Sequence, residues 1–216
     1  MARFTTWRAL NLKFDALVNK LITQECPVRR CEWAGDQAVY ISYHDQEWGV
    51  PVYNDRKLFE MLILEGAQAG LSWITILNKR QNYKKAFDRF DPEKISRYNQ
   101  KKIDALLHDP GIVRNRLKIN GAIVNARAYL ELKAKEGAFS DFLWQFVDGE
   151  PVINTWISQH QVPASTLASD AMSQALKQHG FKFAGSTICY ALMQAVGMVN
   201  DHTKTCFRHK QITDGY

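Results

Sequence analysis

His202 and Cys206 stand four residues apart near the end of the chain. On a helix that spacing puts both on one face, where both can address one ion. Cys31 and His44, near the start of the body, can supply two more ligands. A Cys₂His₂ set suits tetrahedral Zn²⁺, and four protein ligands would make such a site closed and structural. It would tie together two ends of the body that are too poor in apolar residues to anchor themselves. The dozen residues between Cys31 and His44 do not match a standard finger, so free thiols and unconnected imidazoles stay open as the alternative. Cys26 and Cys189 stand outside this set, and Cys189, in an apolar run, has the setting of a small buried hydrophobe. His108, His160, His179 and His209 have the context of surface or loop residues.

A second chemistry is anion binding. Residues 103–126 run IDALLHDPGIVRNRLKINGAIVNA. A periodic helix (Ile103, Leu106, Leu107) meets a bend at Asp109-Pro110-Gly111, and a second helix follows (Leu117, Ile119, Ile123, Val124). Pro110 fixes φ and Gly111 tolerates positive φ, so the chain can reverse tightly. The second helix then begins with unpaired N–H groups flanked by Arg114, Arg116 and Lys118, a setting for phosphate. The segment resembles the helix-hairpin-helix motif, which grips a DNA backbone without reading its sequence, although Val113 stands where many such motifs carry a second glycine. An ordinary αα-hairpin with a solvated basic face is the competing explanation.

Charge distribution favours a polyanion. The 216 residues carry a net charge of +6. Residues 79–127 hold 13 Lys/Arg and 5 Asp/Glu, a balance of +8, which leaves −2 for the rest. A positive stripe around the hairpin is the footprint expected for nucleic acid.

The length suits one large domain or two lobes sharing an interface. At 46% hydrophobic residues the chain should be globular. Its apolar runs are too short for a bilayer and its start lacks a secretory pattern, so a cytoplasmic protein is expected. Residues 1–29 look like an extension, with Trp7, Leu10, Phe14, Leu17, Val18 and Leu21 near helical spacing. A body over 30–210 and a tail over 211–216 follow. Helix signals recur: a run after Asp55, one capped by Ser72, Pro92 at a first helical position after Asp91, one led by Ser140-Asp141, one over 165–179 stopped by Gly180, and one over 188–198. Strand signals are thin, 181–183 being the clearest. The fold class is all-α.

Taken together, these segments are identified as resembling the 3-methyladenine DNA glycosylase I family, a zinc-containing branch of the helix-hairpin-helix glycosylases. The resemblance rests on Arg30-Cys31-Glu32-Trp33, YISYHDQEWGVP at 40–51, LEGAQAGLSWITIL at 64–77, the hairpin, and GFKFAGSTICYALMQAVGMVNDH at 180–202. It covers more than three-quarters of the chain. It implies one structural Zn²⁺ on Cys31, His44, His202 and Cys206. It implies a monofunctional N-glycosylase that flips 3-methyladenine out of alkylated double-stranded DNA and releases it.

By the same resemblance, Glu65 is the carboxylate that meets the base edge, and Tyr43 supplies a second polar contact. Trp33, Tyr40, Tyr43, Trp48 and Trp73 are the candidate base-stacking walls. Gln68, Gly70 and Leu71 would approach the lesion, with Leu71 as a wedge, while Pro110, Gly111, Arg114 and Lys118 would hold the backbone. Related glycosylases place a catalytic Asp some two dozen residues beyond the hairpin glycine, and residues 113–140 contain no Asp. Glu131 and Glu136, the only carboxylates in that span, have an exposed pattern. That absence suits a base whose positive charge has already weakened its glycosidic bond. A monomer is expected, since a duplex must reach the pocket. The rival is a non-catalytic, zinc-stabilised helix-hairpin-helix DNA-binding module, which would need neither Glu65 nor the aromatic set.

Overall fold

The computed structural model describes residues 28–215. The amphipathic segment expected before them, with Cys26, lies outside the described residues. The helices are α1 (Ala38–Gln46), α2 (Asp55–Gln68), α3 (Trp73–Ala86), α4 (Pro92–Ile95), α5 (Gln100–His108), α6 (Arg116–Glu136), α7 (Phe139–Trp144), α8 (Leu167–Gln178), α9 (Ser186–Ala195) and α10 (Phe207–Thr213). Two residues of β1 (Val152–Ile153) pair in parallel with two of β2 (Val199–Asn200). The all-α expectation holds, with that one bridge as its exception.

Side-chain caps set several helix starts. Asn54 accepts from Lys57 N at 3.0 Å, so the cap of α2 is Asn54 rather than Asp55. The Asp55 carboxylate accepts from Ser140 N at 2.9 Å and pairs with Lys133 at 3.2 Å, fixing the start of α7 against α2. Asp91 caps α4 through Glu93 N and Lys94 N. Thr166, not Ser165, caps α8. Ser72 precedes α3, but its hydroxyl bonds that of Thr75 instead of a backbone N–H.

The centre of the molecule is α2. Leu58, Phe59 and every residue from Met61 to Ala67 are buried, as expected for a helix covered on all sides. It packs on α3, α6, α7 and α9. Arg80 of α3 joins it to the end of α1, reaching Glu60 at 3.1 Å and Glu47 at 2.9 Å. The 181–183 segment is not a strand. Asn125 of α6 clamps Lys182, accepting from its N at 2.6 Å and donating to its O at 3.0 Å. Phe183 then sits at φ 54° and plugs the space between Gly66 of α2 and Gly121 of α6.

The α5–bend–α6 hairpin forms where expected, with two corrections. Gly111 does not adopt positive φ. Glycine is needed there because an added Cβ would lie 2.9 Å from Asp109 Oδ1 and 3.0 Å from Asn82 Cβ. Leu117 belongs to the surface rather than the core, at 72% exposure.

Candidate active site and metal centre

Cys31, His44, His202 and Cys206 come together. Their ligand atoms lie within 4.8 Å of one another, and all four residues are buried. Cys31 precedes the turn Glu32–Ala34, His44 is on α1, His202 follows β2, and Cys206 caps α10. The set therefore joins the two ends of the body. Cys206 Sγ lies 3.4 Å from His44 Nε2 and 3.5 Å from His202 Nδ1, and Cys31 Sγ lies 3.5 Å from His202 Nδ1. Tetrahedral Zn²⁺ bonds of about 2.0–2.3 Å place ligands about 3.5 Å apart; these three separations match that spacing, and the set as a whole could hold a metal ion.

The far side of each imidazole is engaged. His44 Nδ1 meets Asp45 Oδ1 at 2.7 Å, and Asp45 is gripped by Arg30, also at 2.7 Å. His202 Nε2 meets Trp48 O at 3.0 Å. These contacts turn His44 Nε2 and His202 Nδ1 toward the two thiols, where His44 Nε2 also accepts from Cys31 N at 3.3 Å; engaged outer nitrogens are the pattern of metal-binding histidines. The Cys206 thiol is held far below its ordinary value, first by the hydrogen bond with Cys31 and then by those with His202 and His44. The same bond raises the Cys31 thiol, so without an ion the pair shares one proton between its sulfurs.

Beside this centre opens a cavity of about 230 Å³, far more than a single water needs. Trp33, Tyr40, Tyr43, Trp48, Glu65, Gln68, Trp73, Ala191 and Gln194 line it. All five expected aromatics are thus gathered in one wall. Trp33 meets Trp48 edge-on at 4.9 Å, and Tyr43 lies 5.5 Å from Trp73. Tyr40 is pinned by its hydroxyl, which accepts from Ile74 N at 3.0 Å where α3 begins. Trp48 packs edge-on against His202 at 4.6 Å, so the Cys-His-His-Cys cluster, which could hold a metal ion, backs the cavity wall. The indole N–H groups of Trp33 and Trp73 are buried without hydrogen-bond partners, leaving two donors at the cavity unsatisfied.

Glu65 is 4% exposed, one turn before the end of α2. Burial pushes its carboxyl from 4.5 up to about 8. Burial and then the neighbouring Glu65 raise the Tyr43 hydroxyl well above its ordinary value. An aromatic slot with one carboxyl in its wall is suited to a flat, electron-poor, cationic ring.

The remaining expected residues lie outside the cavity, apart from Gln68. Gly70 and Leu71 are exposed in the turn after α2, Leu71 at 41%. Pro110 and Arg114 are exposed at the hairpin. Pro110 O accepts from Lys79 Nζ at 2.7 Å. The Lys118 ammonium donates to Ala67 O and Ala69 O. Glu131 and Glu136 are exposed as expected, and Glu136 pairs with His179 at 3.0 Å. His209 is buried, contrary to expectation, with Nε2 2.7 Å from Asn154 O.

Gln194 and Asp201 were not singled out by sequence. Asp201 is fully buried. It accepts from Asn154, Trp156 and Tyr190 at 2.7 Å and from Gln194 Nε2 at 2.8 Å. This fixes a cavity-lining amide to the residue next to His202. The only sequence signal was an Asp beside a candidate ligand.

A family model described as methyladenine glycosylase matches residues 33–209. The DNA-3-methyladenine glycosylase 1 of Escherichia coli (strain K12) is 50% identical over 179 residues, covering 83% of this chain and 96% of that protein. A crystal structure of a 3-methyladenine DNA glycosylase I superposes with a TM-score of 0.82 at 52% identity, covering 83% of this chain and 98% of that one. Another solved relative, a tyrosine-to-phenylalanine variant in complex with 3-methyladenine, has a TM-score of 0.80 at 36% identity, covering 82% of this chain and 96% of that one.

Proposed function

The chain belongs to the methyladenine glycosylase family, and we propose that it excises 3-methyladenine from alkylated duplex DNA by hydrolysing the N-glycosidic bond. The observation that carries this reading is the Glu65 carboxyl, buried in a cavity that five aromatic side chains line. Methylation at N3 makes the base a cation, so the bond is weak and the base departs neutral. Strong acid catalysis is then unnecessary. What is needed is a slot that takes the flipped base and distinguishes it from adenine. A cation offsets the cost of ionising Glu65, whereas neutral adenine gives no such compensation and meets only the protonated carboxyl. Glu65 is the carboxyl nearest the departing base in this reading, and its chief role is recognition of that base. Tyr43, Trp33, Tyr40, Trp48 and Trp73 hold the base.

Gln68, Gly70 and Leu71 approach the gap in the duplex. The hairpin at Pro110 and Gly111 acts as a helix-hairpin-helix grip, with Arg114 at the phosphates. Zn²⁺ on Cys31, His44, His202 and Cys206 is structural, because four protein ligands leave no open position for water. The protein works as a cytoplasmic monomer. No helix among the described residues is long and apolar enough to cross a membrane.

The test is incubation of purified protein with methylated duplex, followed by identification of the bases set free. Release of 3-methyladenine is expected, and Glu65→Ala should lower it by about 100-fold or more while duplex affinity stays nearly constant. Unchanged release by the variant would remove Glu65 from the reaction. Tight duplex binding with no base released by the wild type would favour a non-catalytic module.

A further inference from the structure

The last carbonyls of an α-helix have no partner within it. At the end of α2 the chain turns through Ala69 and Gly70, which has φ 77°. No basic residue occurs in the last turn of α2. The missing cation comes from another element, at a separation of about 50 residues in sequence. Lys118 Nζ, in the first turn of α6, donates to Ala67 O at 2.8 Å and to Ala69 O at 2.6 Å. Lys118 is partly buried, and desolvation lowers its pKa. Both joined elements present an apolar side chain to solvent, Leu71 from the turn and Leu117 from the helix. Glu65 lies two residues before the first of the carbonyls that Lys118 holds.

We propose that Lys118 is a positioning residue. It locks the 68–71 turn to the start of the hairpin's second helix, so that the grip on the duplex and the presentation of Leu71 move as one body. This rests on the glycosylase reading and adds a mechanical link to it. The position of Lys118 beside the hairpin bend points to phosphate. Two of its three protons are instead committed to carbonyls, and its chief contribution is to the geometry of base extrusion.

The roles separate experimentally with the metal-loaded, full-length protein. Lys118→Met keeps the aliphatic stem and removes the donors, and Lys118→Arg restores donors. Three quantities are compared: affinity for free 3-methyladenine by tryptophan fluorescence, the salt dependence of duplex affinity, and the single-turnover rate of release from methylated duplex.

Lys118→Met should slow release by about tenfold or more. Its affinity for the free base and its salt slope should match the wild type, and Lys118→Arg should recover part of the rate. A salt slope reduced by about one with the rate intact would make Lys118 a phosphate contact and overturn the proposal. A free-base affinity reduced as much as the rate, or an unchanged rate, would also overturn it. If the wild type releases no base, the glycosylase reading falls and this role falls with it. The other contrary outcomes leave that reading standing.

Discussion

Glu65 carries a consequence that can be measured without DNA. Its carboxyl titrates at about 8 in the folded protein, against an ordinary 4.5. Between those values the folded state keeps a proton that the unfolded state has released. Folding stability from this residue therefore falls as pH rises from about 4.5 to about 8, by roughly 3–5 kcal/mol at most. Glutamine has no such titration. Glu65→Gln should thus gain in melting temperature over the wild type on going from pH 5 to pH 8.5, and an equal difference at both would show that Glu65 is not the source. The same carboxyl must ionise to meet a cationic base. kcat/KM should rise with pH towards about 8 and level off above it, and the Gln variant should lack that limb. A wild-type profile flat from pH 6 to 9 would contradict this. Stability given up at a functional site in this way is a common exchange.

Among the elements, the contact of α2 with α6 decides whether cavity and hairpin keep their relative placement. Phe183 fills it, and a Cβ on Gly121 would come within 2.7 Å of the Phe183 ring. Asn125 holds Lys182 by both backbone groups, so the ring has little room to yield. Gly121→Ala should therefore cost about 1–3 kcal/mol of stability despite its better helix propensity. Denaturant unfolding checks the sign, and a stabilised variant would show that the wedge gives way easily. Helices were legible here because caps and apolar periodicity are local signals, as at Asp91-Pro92. The 181–183 segment reads as a strand because Phe-Lys-Phe alternates like one, while the bonds that bend it come from Asn125, far off in sequence. Lys118 was likewise unreadable, since a lysine beside a hairpin looks the same whether it meets phosphate or a distant carbonyl. The aromatic wall and Glu65 emerged only through resemblance, because nothing in a single sequence separates a cavity tryptophan from a core one.

On the scale of the whole molecule, the Cys-His-His-Cys cluster and the cavity are one construction. The four ligands come from both ends of the body, and Trp48 touches the cavity on one side and His202 on the other. Gly49 N and Val52 N bond Gln194 O and Val196 O, each at 3.0 Å, so the α1 end and the α9 end close around the same point. Removing an ion there should loosen the wall before it unfolds the bundle, since α2 and its neighbours keep their own apolar core. Chelation, or Cys206→Ala, should lower the melting temperature by roughly 10 °C or more. Free-base affinity should weaken in parallel with the altered tryptophan emission. At temperatures where the metal-free protein stays folded, base release should persist at a reduced rate, and Zn²⁺ should restore it. Loss of all turnover from a protein whose melting point, emission and base affinity were unchanged would instead assign the metal to the chemical step, against the closed ligand set.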